Sequence, residues 1–167
     1  MPTLVARCDP VGGHAKPNRP ARAVFGRAGC NRPGTVYDRR MQIIGTGLDA
    51  TEIPRIAETI TRHGDRFLTR IFTAGEIAYC QAHRRAAQHF AARFAVKEAA
   101  MKALGTGHSQ GVLWRDVEVV RRGGPPQLQL HGAAARRFTA LGGRSSVVTI
   151  THTDTLAMAH VIMMGER

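Results

Sequence analysis

The residues best suited to chemistry lie in one alanine-rich stretch, residues 90–107, which ends in Gly105-Thr106-Gly107. Ala, Leu, Met, Lys and Glu favour the α-helix, and a glycine just past the last turn commonly ends one. At helical spacing, the carboxylate of Glu98 stands among three cations, Arg93, Lys97 and Lys102. Such a set suits a metal ion with phosphate groups. A solvated, salt-bridged helix face has the same composition, so this helix alone leaves both interpretations open.

A second carboxylate, Asp49, ends an apolar stretch with two glycines, residues 42–49, that predicts a short buried strand. At a strand end, a carboxylate can face a ligand or cap the following helix. Asp49 and Glu98 could together hold Mg²⁺, which keeps several waters and takes its other ligands from phosphate oxygens. The second carboxylate therefore favours the metal and phosphate interpretation of the helix.

Several groups could bind the phosphates at such a site. Arg93, Lys97 and Lys102 can neutralise them, and the amides of the Gly105–Gly107 turn could donate to further oxygens, although a helix C-terminus offers no favourable dipole. His152 follows Val148 and Ile150 on one face of a later strand, so it points into a cleft or is a hydrogen-bonded core histidine. The chain has no Walker-type phosphate loop.

The elements that must position these residues follow from periodicity and from turn and cap signals. Pro54 suits the first turn of a helix that Gly64 ends, and residues 73–76 form a capping box. Together, the periodicity and these local signals predict an α+β domain in which a small, mainly antiparallel sheet packs against the long helix and several short helices. The predicted strands are residues 42–49, 114–120, 127–130, 146–151 and 156–164; the predicted helices are residues 53–63, 65–71, 77–83, 88–104 and 132–141.

Charge and composition set the outer limits. The chain of 167 residues has a net charge of +12, which calls for an acidic partner, but residues 1–40 carry +6 of it. This proline-rich segment lacks an apolar period, so we expect a disordered or mis-assigned N-terminal extension, with residues 41–167 as the folded domain. Three cysteines without a CxxC pair suit a reducing cytosol, and Cys80 reads as a packing residue. No apolar run is long enough to cross a membrane.

The arrangement resembles the holo-[acyl-carrier-protein] synthases, the small phosphopantetheinyl transferases of bacterial fatty acid synthesis. The longest matching block is Arg93–Gly107, together with the aspartate block about fifty residues earlier. The resemblance spans Met41–Met164 and rests on Gly47-Leu48-Asp49, Arg55-Ile56, Phe72-Thr73-Ala74-Gly75-Glu76, Arg93–Gly107, Trp114–Val119 and Thr149–Thr153.

That resemblance implies a phosphopantetheinyl transferase fold and the transfer of 4′-phosphopantetheine from coenzyme A to a serine of apo acyl carrier protein, with release of 3′,5′-ADP. It implies Asp49 and Glu98 as Mg²⁺ ligands and, with Lys102, as catalytic residues. Nucleotide phosphates would contact Arg93, Lys102 and His152, beside a wall shaped by Gly105, Thr106 and Gly107. Family members are typically homotrimers with active sites at the subunit boundaries, which predicts the same here.

On this basis we expect an acidic acyl carrier protein as the partner and the cytoplasm as the location. We expect no binding to nucleic acid or to a membrane. The first predicted helix after Asp49 and the short helix that follows it carry a basic side. This side could dock the acyl carrier protein, or it could be an ordinary solvated face. The residues of that side are Arg55, Arg62, Arg66 and Arg70. Two alternatives are a basic nucleic-acid-binding module, which the 5% aromatic content and the charge in the first 40 residues disfavour, and another Mg²⁺-dependent nucleotide enzyme.

Overall fold

The computed structural model describes residues 41–107 and 109–166, so the prediction for residues 1–40 lies outside it. The predicted α+β architecture is confirmed, with a small antiparallel sheet and four α-helices. In chain order the elements are β1 (Met41–Glu52), α1 (Ile53–Ile71), α2 (Ala74–Gln81), α3 (Ala86–Leu104), β2 (Val117–Val120), β3 (Gln127–Leu130), α4 (Gly132–Ala140), β4 (Gly143–His152) and β5 (Leu156–Glu166).

The main sheet has three antiparallel strands in the order β1-β5-β4, so the last strand of the chain lies in the middle. Alternate residues of β5 are fully buried, namely Ala157, Ala159, Val161 and Met163. This alternation is expected of a strand with one face on a core. The inner face of the sheet packs on α3, the long helix that carries Arg93 and Glu98.

Two glycines of β1 allow α3 to lie unusually close to the sheet. A Cβ atom on Gly45 would lie 2.0 Å from the carbonyl oxygen of Ala103, and one on Gly47 would lie 2.0 Å from that of Ala99. Because side chains alternate along a strand, Asp49 shares this face with both glycines. The glycines therefore let the helix approach, and Asp49 is the first side chain on that face that can reach toward α3.

Helix α3 is buried around most of its circumference, which explains its high alanine content. Its C-terminal half packs with β2, α4 and the main sheet, and its N-terminal turns pack with α1 and α2. Small side chains permit close contact on several sides at once. The helix ends at Gly105, which adopts the predicted left-handed conformation with a φ of 69°.

The segment before β2 differs from the prediction. Residues 114–116 form a 3-10 turn, and only Val117–Val120 pair with β3 as the predicted hairpin. Alternating apolar and polar residues do not distinguish such a turn from a strand. The ring of Trp114 stacks on Phe94 of α3 at 4.9 Å between centroids, so packing on the helix accounts for its apolar character.

Helices α1 and α2 agree with the local signals in the sequence. Pro54 lies in the first turn of α1, and Gly64 interrupts the helix with a φ of 49°. Thr73 and Glu76 form the predicted capping box at the start of α2. Cys80 is fully buried, and burial raises the pKa of its thiol to about 11, so it is a packing residue as predicted.

The second face of the main sheet, called here the outer face, is largely apolar and has no described element packed on it. Ile43 and Leu48 of β1 are 63% and 56% exposed, and Val147 of β4 is also exposed. The residues of β5 on this face are Met158, His160, Ile162 and Met164. Within the described residues, no helix is long and apolar enough to cross a membrane.

Candidate functional site

The two predicted metal ligands line the same cavity, called here the carboxylate cavity. It has a volume of about 510 Å³ and lies between the end of β1, the first half of α1 and the middle of α3. Asp49 and Glu98 face it from two separate elements, as predicted. Its other lining residues are Ala50, Thr51, Glu52, Arg55, Ile56, Thr59, Phe67 and Phe94.

Asp49 is held by two neighbours. Its Oδ1 lies 2.7 Å from Nζ of Lys102, and its Oδ2 accepts a hydrogen bond of 3.0 Å from the hydroxyl of Thr51. Lys102 also donates to the carbonyl oxygen of Leu48 at 3.0 Å and is 48% exposed. The Lys102 ammonium group therefore binds the Asp49 oxygen that a metal ion would also bind. Because Lys102 is half exposed, its side chain can move away into solvent.

Glu98 differs from Asp49 because it has no ion pair with any residue of the described ranges. Its half-buried side chain faces the carboxylate cavity, where it can bind a cation or accept a proton. No group of three or more His, Cys, Asp or Glu that could hold a metal occurs in the described part of the chain. Two carboxylates are nevertheless the donor set that Mg²⁺ takes when substrate phosphates and waters complete its shell. The site fits that ion.

Arg93 and His152 line a different cavity of about 240 Å³, called here the cationic cavity. Arg93 is only 5% exposed, and its guanidinium lies 4.0 Å from the centre of the Tyr79 ring. Its Nε is buried without a hydrogen-bond partner in the described structure. Its Nη1 donates to the carbonyl oxygen of His89 at 3.5 Å, so the guanidinium is only partly satisfied, and an unsatisfied buried donor is costly. No acidic residue among the described ones lines this cavity, which is therefore suited to an anion.

His152 reaches the cationic cavity from the end of β4, and its Nδ1 contacts the side-chain amide of Gln88 on α3. Val148 is buried and Ile150 half-buried on the same face, whereas His152 is exposed. Of the two alternatives for His152, the structure therefore agrees with a side chain that lines a cleft and not with a core histidine. Sequence analysis missed three further lining residues, Tyr79, His89 and Arg121. Of these, only His89 could have been found from the sequence, because it lies one helical turn before Arg93. Tyr79 and Arg121 come from other elements.

The turn after α3 does not act as first reasoned. The amides of Gly105, Thr106 and Gly107 donate to carbonyl oxygens of Lys102 and Met101 at 3.0 to 3.3 Å. These are the bonds that complete a helix C-terminus. The expectation that these amides bind phosphate is therefore wrong for this conformation. Shaping the wall of a nucleotide site, which needs no free amide, stays a prediction for these residues.

Lys97 is also not a phosphate-binding residue. Its side chain is fully buried, with Nζ 2.8 Å from Oε2 of Glu76, and it donates to the carbonyl oxygens of Trp114 and Val117. Burial lowers the pKa of Lys97, while the Glu76 carboxylate favours the charged form. Lys97 therefore joins α3 to α2 and to the turn before β2, and the expectation that it neutralises phosphate is wrong.

The four arginines proposed for docking divide into two groups. Arg55 lines the carboxylate cavity, whereas Arg62, just before the interruption at Gly64, and Arg66 and Arg70, after it, are exposed. Arg66 and Arg70 flank Phe67 around a shallow depression. Phe67 also lines the carboxylate cavity, so the basic side of α1 adjoins the cavity directly.

Comparison with known proteins identifies the family. The profile described as the 4′-phosphopantetheinyl transferase superfamily matches residues 45–151, well over half of the chain. The chain belongs to this superfamily. Among curated proteins, the holo-[acyl-carrier-protein] synthase of Koribacter versatilis is 54% identical over 122 residues, which cover 72% of this chain and 98% of that protein. Family membership identifies the chain as a transferase and sets aside the nucleic-acid-binding alternative.

Solved structures of phosphopantetheinyl transferases share the fold. The holo-[acyl-carrier-protein] synthase of Neisseria meningitidis matches with a TM-score of 0.68 and 26% identity, over 73% of this chain and 98% of that one. The holo-(acyl-carrier-protein) synthase of Bacillus anthracis, solved in complex with CoA (3′,5′-ADP), matches with a TM-score of 0.62 and 29% identity, over 74% of this chain and 98% of that one.

Proposed function

We propose that this phosphopantetheinyl transferase is a holo-[acyl-carrier-protein] synthase. It transfers 4′-phosphopantetheine from coenzyme A to a serine of apo acyl carrier protein and releases 3′,5′-ADP. The observation that carries the proposal is the meeting of Asp49 and Glu98 at one cavity beside Lys102. The relatives named holo-[acyl-carrier-protein] synthase, one of them solved with coenzyme A, support the substrate.

The reaction forms one bond and breaks another at the β-phosphorus of the pyrophosphate. The serine oxygen attacks phosphorus, the bond to the bridging oxygen breaks, and the departing 3′,5′-ADP keeps that electron pair. Asp49 and Glu98 would hold Mg²⁺, which supplies charge neutralisation to the pyrophosphate when it is bound. Glu98 lies in the same cavity and can accept the serine proton directly or through a water.

Lys102 has a second position available in this scheme. Its ammonium group pairs with Asp49 and is half exposed. In the reaction, Lys102 would contact an equatorial phosphate oxygen of the substrate, where its positive charge stabilises the transition state. This assigns Lys102 to the catalytic set together with Asp49 and Glu98.

A single chain does not bring the whole ligand set together. The carboxylate cavity and the cationic cavity have no lining residue in common, although coenzyme A carries phosphates for both. We infer that the active site combines the carboxylate cavity of one subunit with the cationic cavity of the next, in a homotrimer. The exposed apolar outer face of the sheet is a surface that such an assembly would bury. A monomer of full activity in sedimentation and transfer assays would contradict this.

The basic side of α1 is the proposed docking surface for the acidic carrier protein. Arg66 and Arg70 flank Phe67, which leads into the carboxylate cavity. Charge complementarity accelerates encounter and weakens with salt. Reversing Arg66 and Arg70 to Glu should raise the KM for carrier protein and flatten its salt dependence, while the KM for coenzyme A stays the same. An unchanged salt dependence would show that docking uses another surface.

The reaction implies a role in fatty acid biosynthesis and a location in the cytoplasm. Cell fractionation can check the location. The test of the activity itself is mass spectrometry of an apo acyl carrier protein after incubation with the protein, coenzyme A and Mg²⁺. The expected result is the gain of one phosphopantetheine on the serine, and its absence with Ser→Ala carrier protein. An unchanged mass with folded enzyme would refute the proposed function, and nucleotide release without carrier protein would favour another nucleotide enzyme.

A further inference from the structure

The cationic cavity concentrates positive charge without acidic balance. Of the described residues that line it, none is acidic, whereas Arg93, Arg121, His89 and His152 can all be cations. Together with the unpartnered Nε of Arg93, this points to a ligand with more than one negative charge. In a nucleotide substrate, a phosphate monoester is the group that carries close to two charges near neutral pH.

His89 occupies a particular place in this cavity. Its ring stacks against His83 at 4.2 Å between centroids and lies edge-on to Tyr79 at 5.8 Å. The Nδ1 of His83 lies 2.7 Å from the carbonyl oxygen of Tyr79, which can only accept, so His83 carries its proton there. His89 is therefore packed against a histidine whose charged form would repel its own.

In the described part of the chain, the charged and titratable groups named around His89 disfavour a second positive charge. These groups come from the end of α2 and the turn after it, from α3, from the segment after β2 and from β4. Desolvation by burial lowers the pKa of His89 below 6.5, and the charges of His83, Arg93, His152 and Arg121 lower it further. A phosphate placed beside Arg93 would reverse the sign of the local field and favour the imidazolium.

We propose that His89 is a proton-linked binding residue, which takes up one proton from solvent when a phosphate monoester of the nucleotide enters beside Arg93. This inference rests on the proposed function, because it takes the nucleotide of coenzyme A as the ligand. His83 and Tyr79 position the ring of His89 toward the cavity. The consequence is that affinity for the nucleotide falls as pH rises, so the enzyme uses coenzyme A better under mildly acidic conditions.

The direction follows from linkage. In the free protein the pKa of His89 lies below 6.5, so His89 is neutral above that pKa. In the complex the pKa of His89 is higher, so His89 stays charged up to a higher pH. Between the two pKa values, the complex binds more protons than the free protein, and affinity drops with rising pH. If the ligand raises the pKa of His89 by about one unit, affinity changes up to about tenfold across that window.

The test is calorimetric titration of the full chain with 3′,5′-ADP in buffers of different ionisation enthalpy, which gives the number of protons taken up. We expect a net uptake that His89→Gln largely removes, whereas His131→Gln, outside the cavity, retains it. The affinity of His89→Gln should also depend less on pH than that of the unmodified chain. The 5′-AMP analogue, which lacks the second monoester, should show less uptake.

Two outcomes would overturn the proposal. Uptake that persists in His89→Gln and disappears in His152→Gln would assign the proton to His152. Equal uptake in all the variants would assign the proton to a group other than these histidines, since a phosphate that binds among cations releases protons instead of taking them up. Transfer of phosphopantetheine by the unmodified chain and by His131→Gln, measured on the same preparations, separates these outcomes from failure of the proposed function. Transfer without proton uptake would contradict only the role of His89, whereas no transfer by the folded, unmodified chain would contradict the proposed function.

Discussion

At the scale of single residues, identical charges have opposite roles along one helix. Lys97 and Lys102 are five residues apart on α3, yet Lys97 is fully buried against Glu76 and Lys102 is half exposed against Asp49. An exposed pair exchanges partners easily, since each group regains water when the contact opens. A buried pair does not. This difference leaves Lys102 available to a ligand, in agreement with its proposed role in the reaction, and makes Lys97 part of the framework.

Replacing Lys102 by Met should affect metal binding and transfer in opposite directions. The Lys102 ammonium group and a divalent cation compete for Oδ1 of Asp49. Without coenzyme A, Lys102→Met should therefore bind Mn²⁺ more tightly than the unmodified chain, by up to about fivefold for a half-exposed pair. Transfer should fall, because the transition state loses a cation. Electron paramagnetic resonance of free Mn²⁺ measures the first effect. Arg144→Met, at the Glu166 pair, is the matched control, and weaker Mn²⁺ binding by Lys102→Met would contradict the competition.

Replacing Lys97 by Met should destabilise the fold strongly. The change leaves the Glu76 carboxylate buried without its cation, and breaking such a pair typically costs about 3 to 5 kcal/mol. Adding Glu76→Gln should restore part of the loss, because the remaining side chain is neutral and still accepts a hydrogen bond. Urea unfolding of both variants measures the effect. Equal stabilities of Lys97→Met and the unmodified chain would show that the pair contributes nothing.

At the scale of elements, close packing of β1 on α3 creates the carboxylate cavity. Gly45 and Gly47 remove the side chains that would hold the helix away, and Asp49 follows on the same face. The turn before β2 then supports α3 from another side, through Trp114 on Phe94 and the Lys97 hydrogen bonds. The carboxylates are thus placed by regular elements, which hold side chains more rigidly than loops do.

Gly47→Ala tests this arrangement. The new Cβ would lie 2.0 Å from the carbonyl oxygen of Ala99, so the strand or the helix must move. Overpacking of this kind costs about 1 to 3 kcal/mol, and the displaced helix should separate Glu98 from Asp49. Unfolding and transfer assays should both show a loss. Gly124→Ala, where no atom lies within 4 Å of the new Cβ, should leave both unchanged. A stable, active Gly47→Ala protein would refute the close-packing account.

Local signals predicted most of these elements. The capping box, the glycine at the end of α3 and the hairpin of β2 and β3 depend on neighbours in sequence, and each was confirmed. The burial of Lys97 was not predictable, because its partner Glu76 lies on another helix and a helical stripe can face core or solvent. The cationic cavity was predicted only in part for the same reason, since its residues come from four segments.

At the scale of the whole molecule, the two cavities of one chain have no lining residue in common, and we propose that each is half of a site. The carboxylate cavity offers the groups for a metal and for proton transfer, and the cationic cavity offers the groups for a phosphate. The apolar outer face of the main sheet gives a reason for chains to associate. A transferase assembled in this way has no complete active site until its subunits meet.

The measurement that tests this most directly is complementation between two inactive variants, Glu98→Gln and Arg93→Met, each first shown to be folded by circular dichroism. Co-expressed with different tags and purified as trimers that carry both tags, they place an intact carboxylate cavity of one subunit beside an intact cationic cavity of the next at about one interface in three. We predict that such trimers transfer phosphopantetheine to apo carrier protein at about a third of the unmodified rate. Mixed oligomers as inactive as either parent would contradict a site shared between subunits.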